Sequence, residues 1–575
     1  MFSLRKLLAY LKNYKKECLI GPFFKFMEAC FELIVPLVMA RIIDVGIAQG
    51  DRGYIFRMAG LMIGLGLLGF VCAVCAQYFA AKASVGMGTL LRQAVFNRIL
   101  HLSHTDIDRI GAPTLITRVT ADINQVQAGV NLGLRLLLRS PFIVIGAIVM
   151  SFLVDARMAV IFAVTAPLIG FVIFIIMRRS IPYYRDIQGG VDQVSRLTRE
   201  NLSGVRVIRA FSRQEDEKRR FRAESDRLLH MQNRAGRISA LLTPINYVII
   251  NLAVIAILYG GAFRVNTGKL TQGEVTALVN YMSQVLIALV ALANLILTLS
   301  RAFASAGRVA AVLELPIVEA PAEGPQPNRS ADAIIFDHVS FGYDGTAASS
   351  LSDLSFSVQP GQTIGVIGGT GSGKTTLIQL LLRFYQPTSG QITLFGHDLR
   401  AYDEPTLRAM FGVVPQKSVL FRGTVRENIR WGKPDATDAE IEAALETAQA
   451  ADFVHRLDGG LDAVIEQEGR NLSGGQRQRL CIARALVGQP QVLILDDSAS
   501  ALDYATDARL RKAIRSATAN ATVFLISQRA ATIMNADRIL VLDDGCIVGS
   551  GTHDALMDTC PIYREICQSQ LSGNR

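Results

Sequence analysis

Long apolar runs separated by long polar stretches of helical character fill the first 300 residues, whereas the remainder alternates short apolar segments with polar, glycine-bearing turns. Six apolar runs, at 18–43, 54–81, 132–154, 158–177, 241–263 and 275–299, are each about as long as the ~20 residues a helix needs to cross a bilayer. The connections 83–130 and 178–240 are too long to be turns, so the membrane helices are predicted to continue out of the bilayer as paired stalks, with tips at 108–114 and 212–218. Leu4, Leu7, Leu8 and Leu11 recur at helical spacing beside Lys12, Lys15 and Lys16. They predict an amphipathic helix on the inner leaflet, or the first turns of the first membrane helix. Pro316, Pro321, Pro325 and Pro327 mark a linker. The pattern divides the chain into a membrane domain over 1–315, a linker over 316–333 and a second domain over 334–575.

Composition agrees with a protein in two solvents. Half of the 575 residues are hydrophobic, 19% are charged and the mean hydropathy is +0.31, too apolar for a wholly soluble chain. The net charge of +10 is unevenly placed: 178–237 holds 15 Lys plus Arg, while 44–53 holds only Arg52. Basic connections stay on the cytoplasmic side, which predicts a multi-pass cytoplasmic-membrane protein with both termini and the second domain in the cytoplasm. Topology accounts for the charge, and without a basic stripe interleaved with aromatics, nucleic acid is not expected as a partner. Eight cysteines build no framework; Cys72 and Cys75 form a C-x-x-C inside an apolar span and read as small packing residues.

The second domain carries the chemistry. Gly368, Gly369, Thr370, Gly371, Ser372, Gly373, Lys374 and Thr375 satisfy G-x-x-x-x-G-K-[ST] between a strand-like run, 363–367, and a helix-like run, 376–383. Such a loop converges backbone N–H groups on phosphate, with Lys374 neutralising the outer phosphates and the Thr375 hydroxyl ligating magnesium. Val492, Leu493, Ile494 and Leu495 form an apolar strand that delivers Asp496 towards the same ion. Leu472, Ser473, Gly474, Gly475 and Gln476 open a helix and make a second phosphate-binding surface. That surface does not fold back easily onto Lys374 of its own domain, so two domains are expected to meet head to tail.

These motifs resemble the ATP-binding cassette (ABC) transporters, over essentially the whole chain. The expected fold is therefore a membrane α-helical bundle of six transmembrane helices with long cytoplasmic extensions, fused to an α/β P-loop nucleotide-binding domain. The resemblance implies ATP and magnesium as cofactors, with Tyr343 stacking on adenine, Thr376 completing the phosphate loop, and Gln416 touching magnesium and the attacking water. It makes 473–476 the signature motif, 500–503 the D-loop, and the stalk tips coupling helices. It also implies membrane lipids as surroundings and a second ABC half-transporter as partner.

Two positions depart from the family pattern. Asp497 stands where the family carries Glu as general base, and Gln528 where it carries a switch histidine. Asp is one methylene shorter, so its carboxylate falls short of an attacking water by roughly one bond length, and Gln takes up no proton. Losing general-base catalysis, worth 10² to 10⁴ in rate, adds roughly 3 to 5 kcal/mol to a barrier. The family's heterodimeric bacterial exporters show the same Asp and Gln pairing. The expected protein is then the degenerate-site half of a heterodimeric exporter of small amphipathic molecules, binding ATP in its own site and lending 472–476 to its partner's. A slow homodimeric exporter and an ATP-gated channel or regulator stand as alternatives. For the substrate, Asn280, Gln284 and Asn294 share an arc of about 80°. Asn246 and Asn251 are further polar positions, while Glu28 and Glu32 read either as an acidic lining for cationic amphipaths or as members of an ion pair with Lys25.

Overall fold

A computed structural model describes residues 7, 9–317, 321, 323–343, 349–498, 504–518 and 521–572. The chain forms two compact units: 1–100 with 113–315, and 101–112 with 316–575.

The first unit is helical. Its main helices are α1 (Lys15–Arg41), α2 (Arg52–Leu100), then, after 101–112, α4 (Ile123–Leu136), α5 (Arg139–Val154), α6 (Ala156–Ser203), α7 (Gln214–Ala240), α8 (Leu242–Asn266) and α9 (Gln272–Leu313); α3 (His104–Ile110) belongs to the second unit. At 1.5 Å per residue, α2, α6 and α9 run to roughly 74, 72 and 63 Å, twice the ~30 Å hydrocarbon core, as expected of stalks. Phe56, Leu153 and Tyr259 are 78, 76 and 73% exposed, an apolar surface suited to lipid. Among the described residues, five helical segments are long and apolar enough to cross a membrane. The sixth crossing is α1, 27 residues long, whose charges mask it: Lys25 pairs with Glu28 at 2.5 Å, and Arg139 of α5 pairs with Glu32 at 2.7 Å.

Local chemistry sets the helix ends. Asp155 accepts from the Arg157 and Met158 N–H groups and starts α6, and Thr271 with Glu274 forms a reciprocal capping box at α9. The break before α5 comes at 137–138, inside a segment expected as one span with 132–136. The first stalk tip lies a few residues earlier than expected: Ser103 caps α3, and Gly111 ends it at φ +83°. The second is a short helix, Val205–Ala210, followed by a turn with Ser212 at φ +53°, rather than one polar tip over 212–218. At the N-terminus only Leu7 and residues from Ala9 onward are described, and Ala9–Tyr14 is a 3-10 turn leading into α1.

Among its described residues the second unit holds twelve strands: β1 (Ile334–Phe341), β2 (Leu351–Val358), β3 (Thr363–Gly368), β4 (Ser389–Leu394), β5 (His397–Asp398), β6 (Phe411–Val414), β7 (Gly423–Thr424), β8 (Val464–Ile465), β9 (Val492–Asp496), β10 (Thr522–Ile526), β11 (Arg538–Asp543) and β12 (Cys546–Gly551). A six-stranded sheet runs β12-β11-β3-β10-β9-β6, parallel except at β12, beside an antiparallel sheet β2-β1-β4-β5. Every residue of β9 is buried, the mark of a parallel strand covered on both faces. Among the described residues of the unit lie three apolar cores. One joins the antiparallel sheet to Leu377 and Leu380, the second gathers Leu420, Ile429, Ile441, Leu472 and Leu480, and the third packs Ile367 with Ile533, Ile539, Val541 and Tyr563.

Candidate functional site

Strand order brings the predicted motifs to one edge. In the parallel order β3-β10-β9-β6, the phosphate loop follows β3, Gln528 follows β10, Asp496 ends β9 and Gln416 follows β6. Ladder pairs fix their levels: Ile526 faces Asp496, and Val414 faces Leu495. Ligands of open α/β sheets bind at the carboxyl ends of the strands, and that is the edge these four connections share.

The loop after β3 is built for an anion. Gly371 and Gly373 hold φ of +86° and +98°, and a Cβ at Gly373 would lie 2.9 Å from the Ser350 carbonyl, so backbone freedom is required there. The helix that follows, α10 (Lys374–Leu381), starts from Gly373 with no side-chain cap, whereas Asp403, Thr424, Thr437, Ser473 and Thr552 cap their own helices. The first N–H groups of α10 are therefore left for a ligand. Lys374 Nζ donates to the Gly368 and Gly369 carbonyls at 2.8 and 2.6 Å and to Ser372 Oγ at 3.3 Å. Burial pushes its pKa down, with Asp496 and Asp497 opposing, which describes a cation that phosphate would stabilise. Gly369, Thr370 and Thr375 are exposed, while Ser372 and Thr376 are buried. Tyr343 stands beside this helix, its hydroxyl donating to Gln379 Oε1 at 2.5 Å and lying 3.2 Å from Thr376 Oγ1. Its ring meets Tyr385 edge-on at 5.3 Å.

Asp496 is buried, and its carboxyl is pushed up to about 6 by burial first and by the Asp497 charge second, with Lys374 pulling the other way. A buried carboxylate short of positive charge suits a divalent cation. Among the described residues no cluster of three His, Cys, Asp or Glu exists, so magnesium here would rest on Asp496, Thr375, Gln416, phosphate and water, the sparse set this ion accepts. Asp497 sits at φ +47°, a left-handed conformation Asp tolerates better than most residues. Its N–H donates to the Ile526 carbonyl at 2.9 Å, and its carbonyl accepts from Gln478 Nε2 at 3.3 Å. Gln528 is exposed at the end of β10.

Ser473 and Gln476 form a capping box: Ser473 Oγ accepts from the Gln476 N–H at 3.3 Å, and Gln476 Oε1 from the Ser473 N–H at 2.8 Å. They open α11 (Gly474–Leu486), with Ser473 and Gly474 exposed. Leu472 anchors this motif in the second core, whereas α10 packs in the first, so the two phosphate surfaces belong to different parts of the domain. The segment 500–503, expected as a D-loop, lies outside the described residues.

Three contributors escape sequence reading. Gln570 of α12 (Pro561–Ser572) donates from Nε2 to the Gln528 carbonyl at 2.7 Å, and its Oε1 accepts from the Ala530 N–H at 2.8 Å. Tyr385 donates its hydroxyl to Asp108 of α3, and Phe384 stacks on His104 at 4.4 Å. Burial, then the nearby Arg408, holds the His104 pKa below its ordinary value. Arg139 is the third. Each acts across 40 or more residues, where no local spacing signals it.

Comparison with known proteins accords with this architecture. Residues 18–289 match the ABC transporter transmembrane region, and 351–500 match the ABC transporter family's ATP-binding part. The chain is 36% identical to the uncharacterized ABC transporter ATP-binding protein YfiB of Bacillus subtilis (strain 168), covering 99% of both chains. It is 31% identical to an ATP-dependent lipid A-core flippase of Sodalis glossinidius and 32% identical to the probable multidrug resistance ABC transporter ATP-binding/permease protein YheI of Bacillus subtilis, over 99% of this chain and 98% of each. A bacterial Atm1-family ABC exporter solved with ATP bound shares the fold, with a TM-score of 0.80 at 24% identity over 97% of this chain and 98% of that one. The chain belongs to the ABC transporter family, as an exporter-type half-transporter with one membrane domain and one ATP-binding domain. Such halves act as dimers, and their ATP-binding domains couple ATP hydrolysis to transport.

Proposed function

We propose that this chain is the degenerate-site half of a heterodimeric exporter of amphipathic molecules, in the cytoplasmic membrane with its ATP-binding domain on the cytoplasmic side. Its own site, with Lys374, Thr375, Thr376 and Tyr343 on ATP and Asp496 with Gln416 on magnesium, holds nucleotide for long periods. Its Ser473–Gln476 surface completes the site that turns over on the partner. The observation that carries the reading is the substitution of Asp497 and Gln528, at the ends of neighbouring strands β9 and β10, beside an otherwise complete set of ATP-binding groups. Asp497 is a short base and Gln528 cannot relay a proton, while nothing that would contact the phosphates has changed. The amphipathic substrate class is supported by relatives named for lipid A-core and multidrug transport, together with the membrane-depth amides of α9.

Trapping labelled ATP on the purified pair during turnover tests the proposal. One intact ATP per pair, retained at this chain, is expected. Equal hydrolysis at both sites, or full activity from this chain alone, would replace the heterodimer with a homodimer.

A further inference from the structure

The charges of α1 and α5 form a unit that neither acidic lining nor simple pairing describes. Lys25 Nζ donates to both Glu28 oxygens at 2.7 and 2.5 Å, and Arg139 donates from Nη2 to Glu32 at 2.7 Å with its Nε 3.7 Å from Glu28. Gln284 of α9 reaches the Glu32 carbonyl at 3.4 Å. Two cations and two anions therefore alternate along one run of about two helical turns, with no net charge. Their side chains are 11, 16, 18 and 39% exposed for Lys25, Glu28, Arg139 and Glu32, with Glu32 the most accessible.

Orientation separates this group from lipid. On α1, taking about 100° per residue, Leu19, Phe23, Phe26 and Ile34, four of its five exposed large apolar residues, fall within roughly 80° of one another; the fifth, Met39, lies on the other side about two turns beyond Glu32. Lys25, Glu28 and Glu32 fall within roughly 60° on the opposite face. Bonding capacity is also left over: Arg139 Nε and Gln284 Oε1 are buried without a hydrogen-bond partner among the described atoms. A closed structural ion pair uses its strong donors and acceptors, whereas this group keeps a guanidinium donor and an amide acceptor in reserve.

We infer that Lys25, Glu28, Glu32 and Arg139, with Gln284, bind the head group of a zwitterionic amphiphile, a molecule carrying an anion of phosphate type and an ammonium a few ångströms apart. Its anion exchanges for a carboxylate on Arg139 and Lys25, and its ammonium takes the carboxylates so released. A purely cationic amphiphile faces the two basic groups uncompensated, and a purely anionic one faces the two acids, so only the zwitterion conserves the pairing of every charge. The inference deepens the proposed exporter function and rests on it for transport, though not for binding.

The test uses the purified dimer in a neutral maltoside, without ATP, and equilibrium binding of three amphiphiles of equal chain length: dodecylphosphocholine, dodecyltrimethylammonium and dodecyl sulfate, all below micellar concentration. Phosphocholine should bind at least tenfold more tightly than either singly charged probe. Arg139→Gln should weaken it about tenfold, Arg139→Lys less, and Glu32→Arg combined with Arg139→Glu should restore it. Equal affinity for the cation, phosphocholine binding unchanged by Arg139→Gln, or a charge swap that binds no better than Arg139→Gln, would overturn the site. A phospholipid and a soluble phosphocholine amphiphile are then distinguished by competition with short-chain phosphatidylcholine, which displaces the probe only if lipid is accepted. Binding retained without ATP-driven movement in vesicles would leave the site standing and contradict the exporter reading alone.

Discussion

At Asp496 the competition between burial and charge has a measurable consequence. Its carboxyl is pushed up to about 6, and a metal ligand must be ionised, so protons compete with magnesium below that pH. Mg–ATP affinity is predicted to fall by up to about tenfold per pH unit below 6 and to be flat above it. Magnesium titrations at fixed ATP between pH 5 and 8 would read this, and Asp496→Asn should remove the break. The sign for stability is opposite: in metal-free protein the folded state holds this proton more tightly than the unfolded state, so the cost of burying the charge is relieved as pH falls through about 6. Asp497 carries a second prediction. Glu there regains the reach of a base at a backbone cost of about 1 kcal/mol for a longer residue at φ +47°. With the partner's site disabled, Asp497→Glu combined with Gln528→His should raise residual phosphate release at least tenfold, and either change alone should do less. The phosphate loop and Asp496 were legible because their chemistry is local, a glycine run and a strand end. The left-handed backbone at Asp497 was not, because the bond from its N–H to Ile526 depends on strands far apart in sequence.

Elements show the same division. Apolar period and length revealed the membrane helices, α1 included, but not what answers its charges, since Arg139 lies 107 residues from Glu32. The capping box at Ser473 was readable as a helix start, and its surface role followed from the glycines beside it. The grip of α12 on the loop after β10 was invisible, since a lone Gln near a C-terminal helix carries no signal. That grip supports a prediction: two hydrogen bonds from one amide hold the Gln528 and Ala530 backbone, and each is worth roughly 1 kcal/mol. Gln570→Ala should loosen residues 528–530 and speed their amide exchange several-fold, while Gln570→Glu, which keeps the acceptor for Ala530 and loses the donor to Gln528, should free Gln528 selectively. Hydrogen exchange resolved to this peptide checks it. In the same unit, Tyr385→Phe removes the hydrogen bond to Asp108 and leaves the His104 to Phe384 stack, so α3 should exchange faster without loss of the domain's fold.

For the whole molecule, architecture and class of machine follow from pattern, motif and family together: a helical membrane domain, a nucleotide-binding domain, and a dimer as the working unit. The inequality of that dimer and the character of its cargo are proposals, drawn from Asp497 and Gln528 and from the charges of α1 and α5. An intact signature beside Asp497 and Gln528 supports the proposal that the functional asymmetry lies between two chains, each supplying what the other's site lacks. The neutral group of four charges at membrane depth argues for cargo selected by charge pairing rather than by net charge. Binding at the charge group does not require unlike halves, so the heterodimer is the more central claim. Steady-state phosphate release from the purified pair tests it most directly, comparing replacement of the partner's matching catalytic carboxylate by its amide with Asp497→Asn in this chain. Near-complete loss is expected from the partner change and less than about a threefold change from Asp497→Asn. A larger loss from Asp497→Asn would contradict it.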